Sequence, residues 1–384
     1  TAPSPYDDVP LGRNPAVAMV EIINEDSLFF WTFSKKNIPP VHWRRLESLY
    51  GQHLGQAGPQ AIQEAWHMTG DALRRQSPAG KQRIGKQVKF LAELQREFYA
   101  DTVKRMRQLG YQGLISASNW KVSDPAMLEA IERHTYTAGN VIDRHAYFGG
   151  KHEGDGASYS VRVGHRFEHL SGLTVPHRLP VTVQQTAGMP HIISELNWPN
   201  PNRYRAEATT ITAAYAALQG IDGIFWFAVG SNAMNDQGMT KFQVADPAIG
   251  TTLPANALIY RNRYVSETEP VVDEVIRLDD LYAMMGSAAA SDQALDALRQ
   301  ADIPEGRRAR GRLSGIDPLS FFVGKVQRRL GDPAESSQVD LSRYIDKTSV
   351  RSMNNQLELN FVKGRLTIDT PKAAGAVGAL GDDK

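Results

Sequence analysis

The sequence predicts an α/β chain built on a parallel sheet. Two observations carry this. Five short apolar segments recur between residues 16 and 229, and helical patterns lie between several of them. Strands alternating with helices make βα units, whose strands run parallel.

The five segments are AVAMVEII (16–23), YQGLISAS (111–118), AGNVIDRHAYF (138–148), PHIISEL (190–196) and GIDGIFWFAV (220–229). Most are apolar on successive residues, the pattern of strands covered on both faces. A long helix is expected over 80–110, where Ile84, Val88, Leu91, Leu94, Phe98, Val103, Met106 and Leu109 recur at near-helical spacing before Gly110. Asp124 and Pro125 cap a shorter one through AMLEAIER. RAEATTITAAYAALQ (205–219) is a third, stopped by Gly220. Residues 265–350 read as a helical and loop connector with a basic, solvated loop at 305–312 (EGRRARGR). Residues 351–384 read as the start of a β-rich domain, in which 354–369 alternates like two antiparallel strands joined through Lys363-Gly364.

Composition excludes some classes of function. The 384 residues carry 43 Lys and Arg against 42 Asp and Glu, a net charge of +1, so no global field favours nucleic acid or a membrane surface. The absence of cysteine rules out disulfides and Cys-based zinc sites. No apolar run reaches the roughly 18 residues of a membrane span. The polar, Pro-rich opening TAPSPYDDVPLGRN is no signal peptide. The expectation is a part of a longer polypeptide, whose location the sequence leaves open, secreted or periplasmic ranking ahead of cytoplasmic.

Polar residues gather at the C-terminal ends of the five strands. They are Asn24 and Glu25; Ser116, Ser118, Asn119 and Trp120; Asp143, His145 and Tyr147; Glu195, Asn197 and Trp198; and Trp226 with Ser231 and Asn232. In a parallel α/β barrel or open sheet those ends share the ligand-binding face. A lone Glu there is usually a cap, and a lone Trp is usually core. Convergence at five successive strand ends points instead to a site. Two carboxylates, Glu25 and Glu195, suit glycoside hydrolysis by a retaining route, with groups about 5–5.5 Å apart. The proton donor needs apolar packing and the nucleophile needs hydrogen-bond donors. Tryptophans offer flat faces for sugar rings. Asp26 reads as a brace, and Leu28, Phe29 and Phe30 as packing behind the loop.

NED (24–26), DRHAYF (143–148), SELNW (194–198) and GIFWFA (223–228) together resemble strands four, six, seven and eight of the clan A glycoside hydrolases, which are (β/α)8 TIM barrels. The resemblance covers roughly residues 12–263, the barrel portion being 1–264 with a helical insertion over about 40–110. It implies that Glu25 is the acid/base and Glu195 the nucleophile. Asn24, His145, Tyr147 and Trp226 would be substrate-binding, with Tyr147 donating to the nucleophile and Trp226 forming the sugar-site floor; the gathering at the strand ends adds Asn119, Trp120, Asn197 and Trp198 to that set. It implies no cofactor or metal, and a poly- or oligosaccharide as partner. ALIYRNRYVSETEPV (257–271) and GRLTIDTPKAAGAVG (364–378) are similar to segments that follow the barrel in large bacterial glycosidases. Strands one to three have no counterpart, so the expected structure is five parallel strands of an eight-strand barrel, left open on one side.

Rival readings are a barrel that binds sugar without cleaving it, an inactive fragment, and a zinc peptidase using His165, Glu168 and His169 of HRFEH. The last motif needs a helix, whereas the residues before it alternate like a strand. No strand is followed by a phosphate-binding glycine motif.

Overall fold

The computed structural model describes residues 3, 8–149, 151–157, 159–229, 240–287, 316–331 and 334–380. It is a mixed α/β structure with parallel strands and several small sheets. The strands relevant first are β1 (Met19–Glu21), β2 (Leu114–Ser116), β3 (Ile142–Tyr147), β4 (His152–Glu153), β5 (Arg166–Phe167), β6 (Gln185–Thr186), β7 (His191–Asn197) and β8 (Gly223–Trp226). β1 pairs β2 in parallel, and a parallel bridge joins Ser116 of β2 to Val141 just before β3. β3 pairs β7 and β7 pairs β8, both in parallel. The five apolar segments therefore lie side by side in chain order. Among the described residues they do not close into a barrel.

Helices α1 (Pro40–His53), α2 (Gly70–Arg74) and α3 (Pro78–Gln108) fill the interval between β1 and β2. Ser77 caps α3 by accepting from Gly80 N–H, and Pro78 sits at its first position. Ile84, Val88 and Leu91 of α3 are buried with Trp43, Tyr50 and Met68, whereas Phe98 and Leu109 stay exposed. α4 (Pro125–Tyr136) begins at Asp124, whose carboxylate accepts from Met127 N–H. α5 (Ala208–Gln219) is buried on nearly every side. Its Ala and Thr residues let neighbours approach closely, and Gly220 ends it at φ 68°, the left-handed conformation glycine accepts.

The connector expected over 265–350 keeps short helices, Leu278–Tyr282 and Ser320–Val323, but its described residues also hold strands. β9 (Pro270–Ile276) and β10 (Lys325–Leu330) pair in parallel, β10 also pairs β6, and β11 (Ser337–Gln338) runs antiparallel to β9. Their charges disguised them. Arg329 pairs Asp273 across the two strands, and the fully buried Arg328 reaches Glu129 of α4. The basic loop 305–312 lies outside the described residues, as do Ser231 and Asn232.

β12 (Ser349–Arg351), β13 (Leu357–Asn360), β14 (Arg365–Asp369) and β15 (Ala374–Gly378) form an antiparallel sheet. The expected hairpin is present as β13 and β14, turning through Lys363 and Gly364, the latter at φ 66°. Its inner residues Leu357, Leu359, Leu366 and Ile368 share one core with α5, β7, β9 and β10. No helix among the described residues is long and apolar enough to cross a membrane.

Candidate active site

β1 pairing continues past its end, with Ile22 and Ile23 N–H donating to the carbonyls of Ser116 and Ala117. Then the chain turns out. Glu25 has φ 49°, a left-handed conformation unusual for a residue with a side chain. Asn119 holds it there. Its Oδ1 accepts from Glu25 N–H at 3.0 Å, and its Nδ2 donates to Asn24 Oδ1 at 3.1 Å. Behind this turn Phe29 and Phe30 are fully buried, and Asp26 accepts from Ser27 N–H and the Thr32 hydroxyl. Asp26 is thus a brace, as the sequence suggests.

β3 and β7 supply the rest. His145 Nδ1 stands 2.8 Å from Glu25 Oε1 and 3.5 Å from Glu195 Oε2. The Tyr147 hydroxyl donates to Glu195 Oε2. One oxygen of Glu25, one of Glu195 and His145 Nδ1 all lie within 4.8 Å of one another. His145 is buried, while both carboxylates keep partial exposure. Register shifts interrupt both strands, between Asp143 and His145 on β3 and between Ile193 and Leu196 on β7. Such irregularities re-aim side chains at strand ends. Here Asp143 Oδ1 accepts from Ser194 N–H at 3.0 Å, which fixes the residue before Glu195.

Trp120 and Trp198 depart from expectation. Trp198 is fully buried in the main core against Phe148, at 4.9 Å between ring centroids. Trp120 is buried edge-on against Phe30. Trp226 packs with Ile224 on the core side of β8. Trp120 and Trp198 therefore offer no free face at the site, whereas Trp226 keeps partial exposure. The reason is strand alternation: Ala146, Phe148 and Trp198 point to the core, while His145 and Tyr147 point away from it. Asn197 is also buried, its Nδ2 donating to the Phe242 carbonyl at 2.8 Å and to that of Phe227. Asn119 is a buried support, and Asn24 is exposed.

Reading strand ends alone missed Phe227, Phe242 and Glu21, and it gave Asp143 no role. Phe227, next to Trp226, packs edge-on against Tyr147 at 6.3 Å, and Phe242 approaches the same ring at 5.1 Å. Together they orient the hydroxyl that meets Glu195. Glu21 of β1 and Asp143 of β3 lie beneath, with one oxygen of each within 4.8 Å of a His145 ring nitrogen. The signal for Glu21 was present as an acid in the middle of an apolar strand. Burial pushes its carboxyl up to about 8, helped by the hydrogen bond with Asp143, the Asp143 charge and the Glu195 charge, with Asn119 opposing. The spacing of either triad would suit a small cation.

The HRFEH residues do not converge. β5 occupies Arg166 and Phe167, so no helix brings them together. His165 Nδ1 faces His152 Nε2 at 2.9 Å, Glu168 accepts from Lys151 N–H, and His169 Nδ1 accepts from Arg203 N–H.

No family model, curated protein or solved structure matches the chain.

Proposed function

We propose that the chain carries the active site of a retaining O-glycoside hydrolase acting on a poly- or oligosaccharide. The observation that carries this reading is the pair Glu25 and Glu195, whose nearest oxygens fall within 4.8 Å. That spacing suits double displacement, whereas inversion needs room for a water, about 6.5–9.5 Å. Glu195 attacks the anomeric carbon and forms a glycosyl-enzyme, while Glu25 protonates the departing oxygen. Glu25 then takes a proton from water, which releases the sugar. Tyr147 holds Glu195 through its hydroxyl, and His145 keeps the two carboxyls at a fixed separation.

The reading includes a (β/α)8 barrel completed by further βα units of a longer polypeptide. Its support is the uneven cover of the strands. Ile224 and Trp226 pack on the core, yet Phe225 between them is 51% exposed, and Leu114 of β2 is 46% exposed. Parallel strands are normally covered on both faces.

The test is covalent capture. A panel of 2,4-dinitrophenyl 2-deoxy-2-fluoroglycosides is incubated with the protein and the adduct is mapped by peptide mass spectrometry. The expected adduct is on Glu195 and is absent in Glu195→Gln. An adduct on another residue, or a hydrolysis product of inverted anomeric configuration, overturns the assignment.

A further inference from the structure

We propose that Glu21 and Asp143 are positioning residues that share one proton beneath the site and thereby fix the bulge presenting Glu195. The inference rests on Glu195 being the nucleophile only for its catalytic consequence. The pair itself stands on geometry.

Asp143 is 1% exposed. Its Oδ1 accepts two backbone N–H groups, Arg144 at 2.6 Å and Ser194 at 3.0 Å. Its Oδ2 is buried and receives no ordinary N–H or O–H donor. A buried acceptor left so is costly. The group beside it is the Glu21 carboxyl, which becomes a donor once protonated. Two acids in contact cannot both ionise cheaply, so a single shared proton satisfies both.

The charged and titratable surroundings favour the proton. Asp143 and His145 approach from β3, Glu195 from β7, and Glu25 lies at the end of β1. Asn119, from the loop after β2, is a neutral partner. The cation nearest in sequence, Arg144, turns to the other side of β3, where it meets the Thr182 carbonyl. Arg133 of α4 meets Asp143 at its backbone carbonyl, Nη1 at 3.3 Å. Among the described residues no cation pairs with the Glu21 carboxyl, which holds its proton to about pH 8. When it is lost, Asp143 faces an anion in place of a donor. The Ser194 N–H bond that seats Glu195 is then held by a repelled carboxylate.

The experiment has two independent readouts. Carbon-13 carboxyl NMR of glutamate-labelled protein follows titration directly, without substrate. Wild type is expected to show one glutamate carboxyl titrating near pH 8. That titration disappears in Glu21→Gln, whose amide still donates to Asp143, and moves to lower pH in Asp143→Asn. Separately, the rate of Glu195 labelling by the fluoroglycoside is measured against pH. In wild type it falls about tenfold between about pH 7 and about pH 9, and in Glu21→Gln that fall is absent. If no glutamate titrates above about pH 7, or if Glu21→Gln keeps the same alkaline fall, the proposal is overturned. Titration as expected with labelling on some other residue upholds the pair and refutes the nucleophile instead.

Discussion

Glu129 offers a quantitative test of what joins the site-bearing strands to the rest of the fold. It lies on α4 between two guanidinium groups. Arg328 of β10 reaches both of its oxygens, Nη2 at 2.9 Å from Oε1, and Arg133 Nε stands 3.0 Å from the same oxygen. The Arg328 and Arg133 side chains are 0% and 4% exposed, so water does little to screen them. Burial by itself would raise the Glu129 carboxyl. The charges of Arg328 and Arg133 outweigh it and hold the group down to about 2, from an ordinary 4.5. At about 1.4 kcal/mol per pH unit, that depression corresponds to about 3 kcal/mol of stability. Glu129→Gln also leaves buried guanidinium groups uncompensated, so the expected loss at neutral pH is about 3–5 kcal/mol. The sign with pH follows from the depressed value. The carboxylate's contribution is complete above 4.5, shrinks as pH falls, and is gone below about 2. Urea unfolding of both proteins, followed by circular dichroism from about pH 7 to about pH 3, should show their gap narrowing by about 2 kcal/mol. A loss below about 1 kcal/mol at neutral pH, or a gap that stays constant, refutes the reasoning.

Two further substitutions separate core from site. Trp198→Ala should cost about 3–5 kcal/mol in urea unfolding because the ring is fully buried against Phe148, and a loss under about 1 kcal/mol would return Trp198 to the site. Tyr147→Phe should slow formation of the covalent adduct on Glu195 by about 10–100-fold, the cost of a hydrogen bond to a charged group, with unfolding little changed. An unchanged labelling rate would show that the hydroxyl does not hold the nucleophile.

Much of the arrangement was legible because strands and their ends obey local rules. The five apolar runs are the five parallel neighbours, and their C-terminal residues bring Glu25, His145, Tyr147 and Glu195 together. Trp120 and Trp198 were misread for a reason equally local. A strand end offers two faces, and residue type alone does not say which face a side chain takes. On β7 the step from Ile192 to Glu195 spans three residues against two of β3, and that from Ile193 to Leu196 spans three against two of β8, which shifts parity in mid-strand. β9 and β10 escaped notice because Arg328 and Asp273 look solvent-facing until Glu129 and Arg329, distant in sequence, are found to pair with them.

The same parity explains why Glu21 and Asp143 belong to the site at all. On strands that look apolar throughout, an acid is tolerated only where another group from a neighbouring strand answers it. Glu21 answers Asp143 across β2, and Asp143 in turn holds Ser194 of β7. This chain of contacts runs from the first strand to the residue beside Glu195. It couples the two catalytic candidates from below, as His145 does directly between them. A sheet that keeps a buried acid pair of this kind, where two aliphatic side chains would pack at lower cost, is spending stability on the geometry of one face. That is the pattern expected where strand ends must hold reacting groups to within a fraction of an ångström.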